Sequence, residues 1–242
     1  MGSSDFIYAP RLEINDPNAE AFYGQLLRGT THKLNNLLAV IHGFSSLIMM
    51  NDELEASEVE NLKHMKEAAH NASVLSERIL TVGGCATVNI QEVVTSEFIN
   101  MIDTNIREPF EKSGVPIEIN IADDFPHIST DGSRLKDVIL ELLKNASDSA
   151  AVTGGSASIS IKPSGTFGPA DPKRIDIIIE NTGETVEDVM QLFEPFHSTR
   201  DSNHFGIGLT SAAVLCGQLD IPLAVRSVDG TTTFWLSVPT TA

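Results

Sequence analysis

The sequence predicts an α+β chain in two parts: an N-terminal helical hairpin that pairs with a second copy into a four-helix bundle, then a helix-and-sheet sandwich. Three observations predict it. Two long stretches before residue 83 carry apolar residues at helical spacing. After Gly83-Gly84 the pattern changes to alternating strands and helices. And a 242-residue chain that is 41% hydrophobic and 20% charged is too apolar for disorder and long enough for two modest cores. The expected divisions are an extension over 1–15, a dimerisation domain over 16–85 and an α/β domain over 90–242.

Asp16-Pro17 gives a cap and a first-turn proline, after which Phe22, Leu26, Leu27, Leu34, Leu37, Leu38, Ile41, Phe44 and Ile48 recur at helical spacing. The polar stretch Asn51-Asp52-Glu53 interrupts the helix. Ser57 with Glu60 reads as a capping box that opens a second stripe through Leu62, Met65, Ala69, Ala72, Leu75 and Ile79. One such hairpin cannot enclose its own apolar face, so a homodimer is expected. Beyond the glycine pair, helices are expected over 94–112, 134–151 and 208–219. Strands are expected over 115–121, 157–161, 175–180, 223–227 and 232–238. Pro163–Pro172 reads as a hairpin loop.

The net charge of −17 argues against nucleic acid as the main partner, because phosphate backbones attract the opposite sign. A protein partner fits better. Acidity does not exclude a nucleotide, which needs only local amide donors, a metal ion and one or two basic side chains. Cys85 and Cys216 are far apart and have no metal-ligand spacing, so both read as structural thiols. No run of about eighteen apolar residues and no signal segment is seen, and the chain reads as cytoplasmic, with no membrane segment.

Two constellations carry chemistry. Thr31-His32-Lys33-Leu34-Asn35-Asn36-Leu37-Leu38 places a histidine on a helix with Asn36 one turn later on the same face. Alone, that histidine reads as a solvated surface residue. The second is the helix running from Asp131 to Ala150, where Val138, Leu142, Leu143 and Ala146 face the core. Glu141 and Asn145, one turn apart, could hold a hydrated Mg²⁺ and orient a nucleophile, or form only a polar helix edge.

This helix resembles the N box of the GHKL ATP-binding superfamily, which includes histidine kinases, gyrase-type ATPases and mitochondrial protein kinases. Three further boxes follow in order. Ile178-Ile-Glu-Asn-Thr-Gly183 resembles the first glycine box, Leu192-Phe-Glu-Pro-Phe-His-Ser-Thr-Arg200 the phenylalanine box, and Gly206-Ile-Gly-Leu209 the second glycine box. The upstream His32 segment is similar to the histidine box of hybrid sensor kinases, so the resemblance covers about residues 20–240.

The resemblance implies a GHKL (Bergerat) α/β sandwich that binds ATP and Mg²⁺, with Asn145 on the metal and Asn181 and Gly183 at the base. Gly206, Gly208 and Leu209 would lie at the phosphates, where glycines before a helix let backbone amides approach an anion. Lys144 and Arg200 would reach the nucleotide or stand as solvated charges. Glu141 would be a general base or a surface carboxylate. Residues 184–205 would form a lid anchored by Phe193 and Phe196.

The implied activity is that of a two-component histidine kinase, with autophosphorylation of His32 and transfer to an aspartate of a response-regulator receiver domain. The alternatives are a histidine phosphotransferase or a receiver phosphatase in which Asn36 orients water, and a nucleotide-sensing scaffold. Three positions depart from the family pattern, one of them His204, where glycine is often found. Lys33 stands where relatives carry an acid that accepts the imidazole proton, and Asn181 stands where most carry Asp.

Overall fold

The computed structural model describes residues 6–10, 17–51, 54–122, 126–167, 169–196 and 206–241. The chain divides into two compact units with the boundary between Ala86 and Thr87, and the residues before Leu12 group with the C-terminal unit.

The first unit is a hairpin of α1 (Pro17–Ile48) and α2 (Ala56–Val82). Its buried seam follows a seven-residue spacing: Gly24, Thr31, Leu38 and Ser45 on α1, and Leu62, Ala69 and Ser76 on α2, with Gly83 continuing the series. Seven residues are close to two helical turns, so each set shares one face. Apart from Leu38 and Leu62 these residues are small. At Gly83 an added Cβ would lie 2.4 Å from Leu27 Cδ1, so a side chain there would push the end of the Leu27 side chain aside. Ser45 donates to the Ile41 carbonyl at 2.8 Å, which satisfies a hydroxyl inside this seam without help from α2.

The cap of α2 lies two residues earlier than the sequence suggested. The Glu58 carboxylate accepts the Glu55 backbone N–H at 2.9 Å, and the helix opens at Ala56, which leaves Ser57 and Glu60 inside the first turns instead of at the cap. Gly83 closes α2 by donating to the Ile79 carbonyl, and Gly84 turns the chain away at a positive φ of 69°.

The second unit is a six-stranded sheet packed with helices. Its strands are β1 (Ile7–Tyr8), β3 (Ile117–Ile121), β5 (Ala157–Pro163), β6 (Arg174–Thr182), β7 (Leu223–Val228) and β8 (Thr231–Pro239), in the order β1-β7-β8-β6-β5-β3. Among the described residues only β3 and β5 pair in parallel. A second, two-stranded ribbon joins β2 (Gln91–Val93) to β4 (Ile128–Thr130). The helices are α3 (Thr95–Ile106), α4 (Glu108–Ser113), α5 (Gly132–Thr153) and α6 (Gly208–Gln218).

Helix α5 begins where Asp131 accepts the Arg134 N–H with one carboxylate oxygen and the Asn89 N–H with the other, so a single cap also fixes the incoming segment. Its Leu135, Val138, Ile139, Leu142, Leu143, Ala146 and Ala150 are fully buried. At β positions two apart, Ile177 and Ile179 of β6 and Phe234 and Leu236 of β8 complete that core. Fully burying each large aliphatic chain stabilises the fold by about 1.5–3 kcal/mol.

Alternate residues of the same strands face the other side of the sheet, and there an aromatic cluster covers it. Phe6 packs 4.6 Å from Phe167 and 6.1 Å from Trp235, ring centre to ring centre, and the Arg226 guanidinium lies 5.0 Å from the Phe6 ring. The loop after β5 is pinned over this face because Asp176 accepts the backbone N–H groups of Gly165 and Thr166, both at 3.1 Å.

The reading of residues 1–15 as an extension apart from both domains is therefore corrected: Ile7 and Tyr8 pair with Val225 and Ala224 as a strand of the sheet. The pairing is driven by the backbone groups of the otherwise unpaired β7 edge and by burial of Phe6. Strands β2 and β4 were also not foreseen, whereas the helices and strands expected between 94 and 238 fall within a few residues of those observed.

Candidate functional site

The sequence singled out residues on four segments of the sheet unit, and the fold gathers most of them around the C-terminal half of α5. Glu141, Lys144 and Asn145 are half-buried on the side of α5 away from its core stripe. Asn145 and Ser149 are one turn apart, and Ser149 borders the glycine box: an added Cβ on Gly183 would lie 3.0 Å from its Oγ and 3.4 Å from Asn181 Nδ2. A side chain at 183 would fit only if these neighbours gave way by a few tenths of an ångström. Ser149 was not among the expected residues, although its i+4 spacing from Asn145 was a signal that could have found it.

Asn181 ends the inward-facing row of β6. It is 2% exposed, and both its Oδ1 and its Nδ2 are buried without a hydrogen-bond partner. A buried amide with neither end paired is costly, and such a group fits a ligand that carries both a donor and an acceptor.

The surrounding backbone is held firmly. Gly183 donates to the Gly230 carbonyl at 2.8 Å, Gly230 donates to Thr185 Oγ1, and Val186 donates to Ser227 Oγ. On the other side Ser156 donates to Thr182 Oγ1 at 2.8 Å. The glycine box is thus tied to the β7–β8 turn and to the α5–β5 turn at once.

The second glycine box opens α6. Gly206 adopts φ of 63°, a left-handed conformation that favours glycine, and the helix starts at Gly208. The first amides of a helix have no carbonyl partner within it and carry the positive end of its dipole, which suits an anionic phosphate. Thr210 donates to the Phe193 carbonyl at 2.9 Å in a fully buried hydrogen bond, which fixes the 3₁₀ turn Val189–Phe193 against α6.

Phe193 is buried, as expected of a lid anchor. Phe196 is not: it is 69% exposed at φ of 64°, and its backbone N–H donates to the Gly206 carbonyl at 2.8 Å. That bond, and not a buried ring, joins the two ends of the segment 197–205. Arg200 lies outside the described residues.

These residues fit a nucleotide: a buried, unsatisfied amide for the base, a glycine pair at a helix start for phosphates, and polar side chains on α5 between them. Among the described residues no group of three His, Cys, Asp or Glu could hold a metal ion by itself, so a cation here would keep most of its waters. Cys216 is fully buried and its thiol is pushed far up by loss of solvent, which makes it inert.

His32 belongs to the hairpin unit. It is exposed on α1, and Asn36 Nδ2 lies 3.4 Å from its Nδ1; Lys33 is exposed beside it. The chemistry of that pair depends on the amide's orientation. With the amide nitrogen donating to Nδ1, the imidazole proton must reside on Nε2. Rotated by half a turn, Oδ1 accepts Nδ1–H and leaves the Nε2 lone pair free to attack an electrophile. No described helix is long and apolar enough to cross a membrane.

Comparison with known proteins places these features in a family context. Residues 130–242 match the family of histidine kinase-, DNA gyrase B- and HSP90-like ATPases. The chain is 25% identical to Sporulation kinase E of Bacillus subtilis (strain 168) over 217 residues, which is 89% of this chain but 28% of that protein. Among solved structures, full-length ShkA in complex with AMPPNP superposes with a TM-score of 0.75 at 19% identity, covering 90% of this chain and 46% of that one. Histidine kinase ThkA in complex with the response regulator protein TrrA gives 0.57 at 16% identity, covering 93% and 64%. The chain thus spans less than two thirds of each of these relatives. Residues 130–242 thus match the histidine kinase-, DNA gyrase B- and HSP90-like ATPase family, and the chain is similar over most of its length to sensor histidine kinases.

Proposed function

We propose that the chain is the core of a two-component protein-histidine kinase, with residues 16–85 as dimerisation and phosphoacceptor domain and 90–242 as catalytic domain. The observation that carries this is the His32–Asn36 pair, 3.4 Å apart on an exposed helix, in a chain whose C-terminal unit matches an ATPase family. In the reaction His32 Nε2 forms a bond to the γ-phosphorus of ATP as the bond to the ADP oxygen breaks, and the Nδ1 proton leaves. The phosphoryl group then passes to a carboxylate oxygen of an aspartate in a response-regulator receiver domain, releasing free His32.

Asn36 is the positioning residue: its carbonyl holds Nδ1–H and so keeps Nε2 unprotonated. Asn181 and Gly183 hold the base, while Gly206, Gly208 and Leu209 offer amides to the phosphates. Asn145 ligates a Mg²⁺ that neutralises phosphate charge when bound. Lys144 and Arg200 approach the phosphates, and Glu141 is a candidate base. The exposed apolar side of α1 pairs with a second copy, giving a homodimeric four-helix bundle. Its ATP supply and its receiver partner put its work in the cytoplasm.

Lys33 favours a second reading. An ammonium beside His32 cannot accept the departing proton, which suits a module that relays phosphoryl groups between receivers, or hydrolyses receiver acylphosphate with Asn36 orienting water, better than a fast autokinase. Incubation with γ-labelled Mg·ATP separates the two. Acid-labile label on the wild type that disappears in His32→Gln establishes the kinase. Label only on Lys33→Asp means that the missing acid silences an otherwise competent site. Silence in both removes the kinase reading.

A further inference from the structure

A buried side chain normally pairs its polar atoms, and Asn181 is a conspicuous exception. It is 2% exposed, both ends of its amide are buried and unpartnered, and its Nδ2 lies 3.4 Å from where a Cβ on Gly183 would stand, a place that Ser149 Oγ borders at 3.0 Å. The β6 backbone that carries it is locked by pairing with β5 and β8 on either side, at Ala157 and Thr232. The group therefore has a fixed place and two unspent hydrogen-bonding functions, one donor and one acceptor.

What such a group can recognise follows from its chemistry. An ionised carboxylate at this position would present acceptors only. It would bind the 6-amino group of adenine and repel the 6-oxo group of inosine or guanine. An amide is different, because rotation by half a turn exchanges its donor and acceptor at the same place. In one orientation Oδ1 accepts from the 6-amino group of adenine while Nδ2 donates to ring N1. In the other, Nδ2 donates to a 6-oxo group while Oδ1 accepts from N1–H. Both arrangements are doubly bonded and neither leaves a buried group unpaired, so the usual penalty that rejects the wrong base is absent.

We infer that Asn181 makes this nucleotide site accept 6-oxopurine nucleotides alongside adenine nucleotides. The inference rests on the proposed reading that Asn181 faces the purine. It concerns binding and does not depend on whether His32 is phosphorylated.

The test is calorimetric titration of the full chain, with Mg²⁺, by ADP and by IDP, for the wild type and for the near-isosteric Asn181→Asp. IDP carries the 6-oxo group without the extra 2-amino group of guanine, so it isolates the contact at issue. Expected for the wild type is IDP affinity within about tenfold of ADP, and for Asn181→Asp a preference for ADP of about a hundredfold or more. A thermal melt of the variant checks its folding. If the wild type binds ADP and discriminates against IDP by more than about tenfold, the inference is overturned and the nucleotide reading survives. A folded variant with the wild-type ratio also overturns it, because Asn181 would not be setting the choice. If neither nucleotide binds the wild type, the inference and the nucleotide reading fall together.

Discussion

In the hairpin, Leu37, Phe44 and Leu47 are each more than three-fifths exposed, whereas Leu142, Ile177 and Phe234 of the sheet unit are fully buried. The two regions spend their apolar residues differently. The sheet unit closes a core between α5 and its strands. The hairpin holds itself together through a narrow seam of Gly24, Thr31, Leu38, Ser45, Leu62, Ala69 and Ser76, and leaves its larger side chains outside. Leu37, Val40, Phe44 and Leu47 form an exposed run at helical spacing, which the proposed second copy would cover.

Cutting into the closed core should have the largest effect. Leu142→Ala removes a fully buried side chain from α5 and is expected to cost about 2–5 kcal/mol, seen as a lower denaturant midpoint of the sheet unit. If the loss is under about 0.5 kcal/mol, the core is not closed in the sense described. The converse change on the open face is Phe44→Asp. It should leave the helical signal of the hairpin in place while weakening self-association by about a hundredfold, equivalent to about 2.7 kcal/mol, in sedimentation equilibrium. An unchanged association constant would mean that the exposed stripe serves another partner.

The smallest expected effect concerns a charge at the margin of the closed unit. Burial raises the Asp137 carboxyl above its ordinary 3.8, against the lowering influence of Arg134 and Lys136. A raised folded-state pKa means that the folded chain binds more protons than the unfolded one between the two values, so stability falls as pH rises through that window and is level above it. Asp137→Asn should therefore gain slightly on the wild type as pH climbs from about 3.8, read as a difference in melting temperature. A gap that widens in the opposite direction would show that the Arg134 ion pair, at 3.5 Å, dominates the site instead.

Much of this was legible in the residues. Helical periodicity located α1, α2 and α5, and strand-length apolar runs located β5, β6, β7 and β8. The glycine pairs and the polar face of α5 pointed to the candidate site. What escaped notice had local causes. Strands β1, β2 and β4 are two or three residues long, too short to show a period, and form only because a backbone edge or a ribbon partner is available. The inner seam of the hairpin was read only in part: Leu38, Leu62 and Ala69 stood in the expected stripes, whereas Gly24, Thr31, Ser45 and Ser76 escaped because they carry no apolar signal. Phe196 looked like an anchor by composition, but its left-handed backbone turns its ring to solvent. No sequence pattern could show that both ends of the Asn181 amide are buried and unpaired, since that depends on strands from three parts of the chain.

The strand Ile7–Tyr8 has a consequence for connectivity. Because the sheet unit takes up residues on both sides of the hairpin, the hairpin is topologically an insertion between the first strand of the sheet and the rest of it. A fragment beginning at Thr87 would lack its edge strand, uncovering β7 and the aromatic face around Trp235. A protease nick ahead of α1 would leave the short N-terminal piece held, among the described residues, through its ladder to β7, the bond from Ala9 to the Leu223 carbonyl and the packing of Phe6 and Tyr8 against Trp235. Boundaries for expressing the sheet unit alone should accordingly bridge Pro10 to Thr87 with a linker instead of discarding everything upstream.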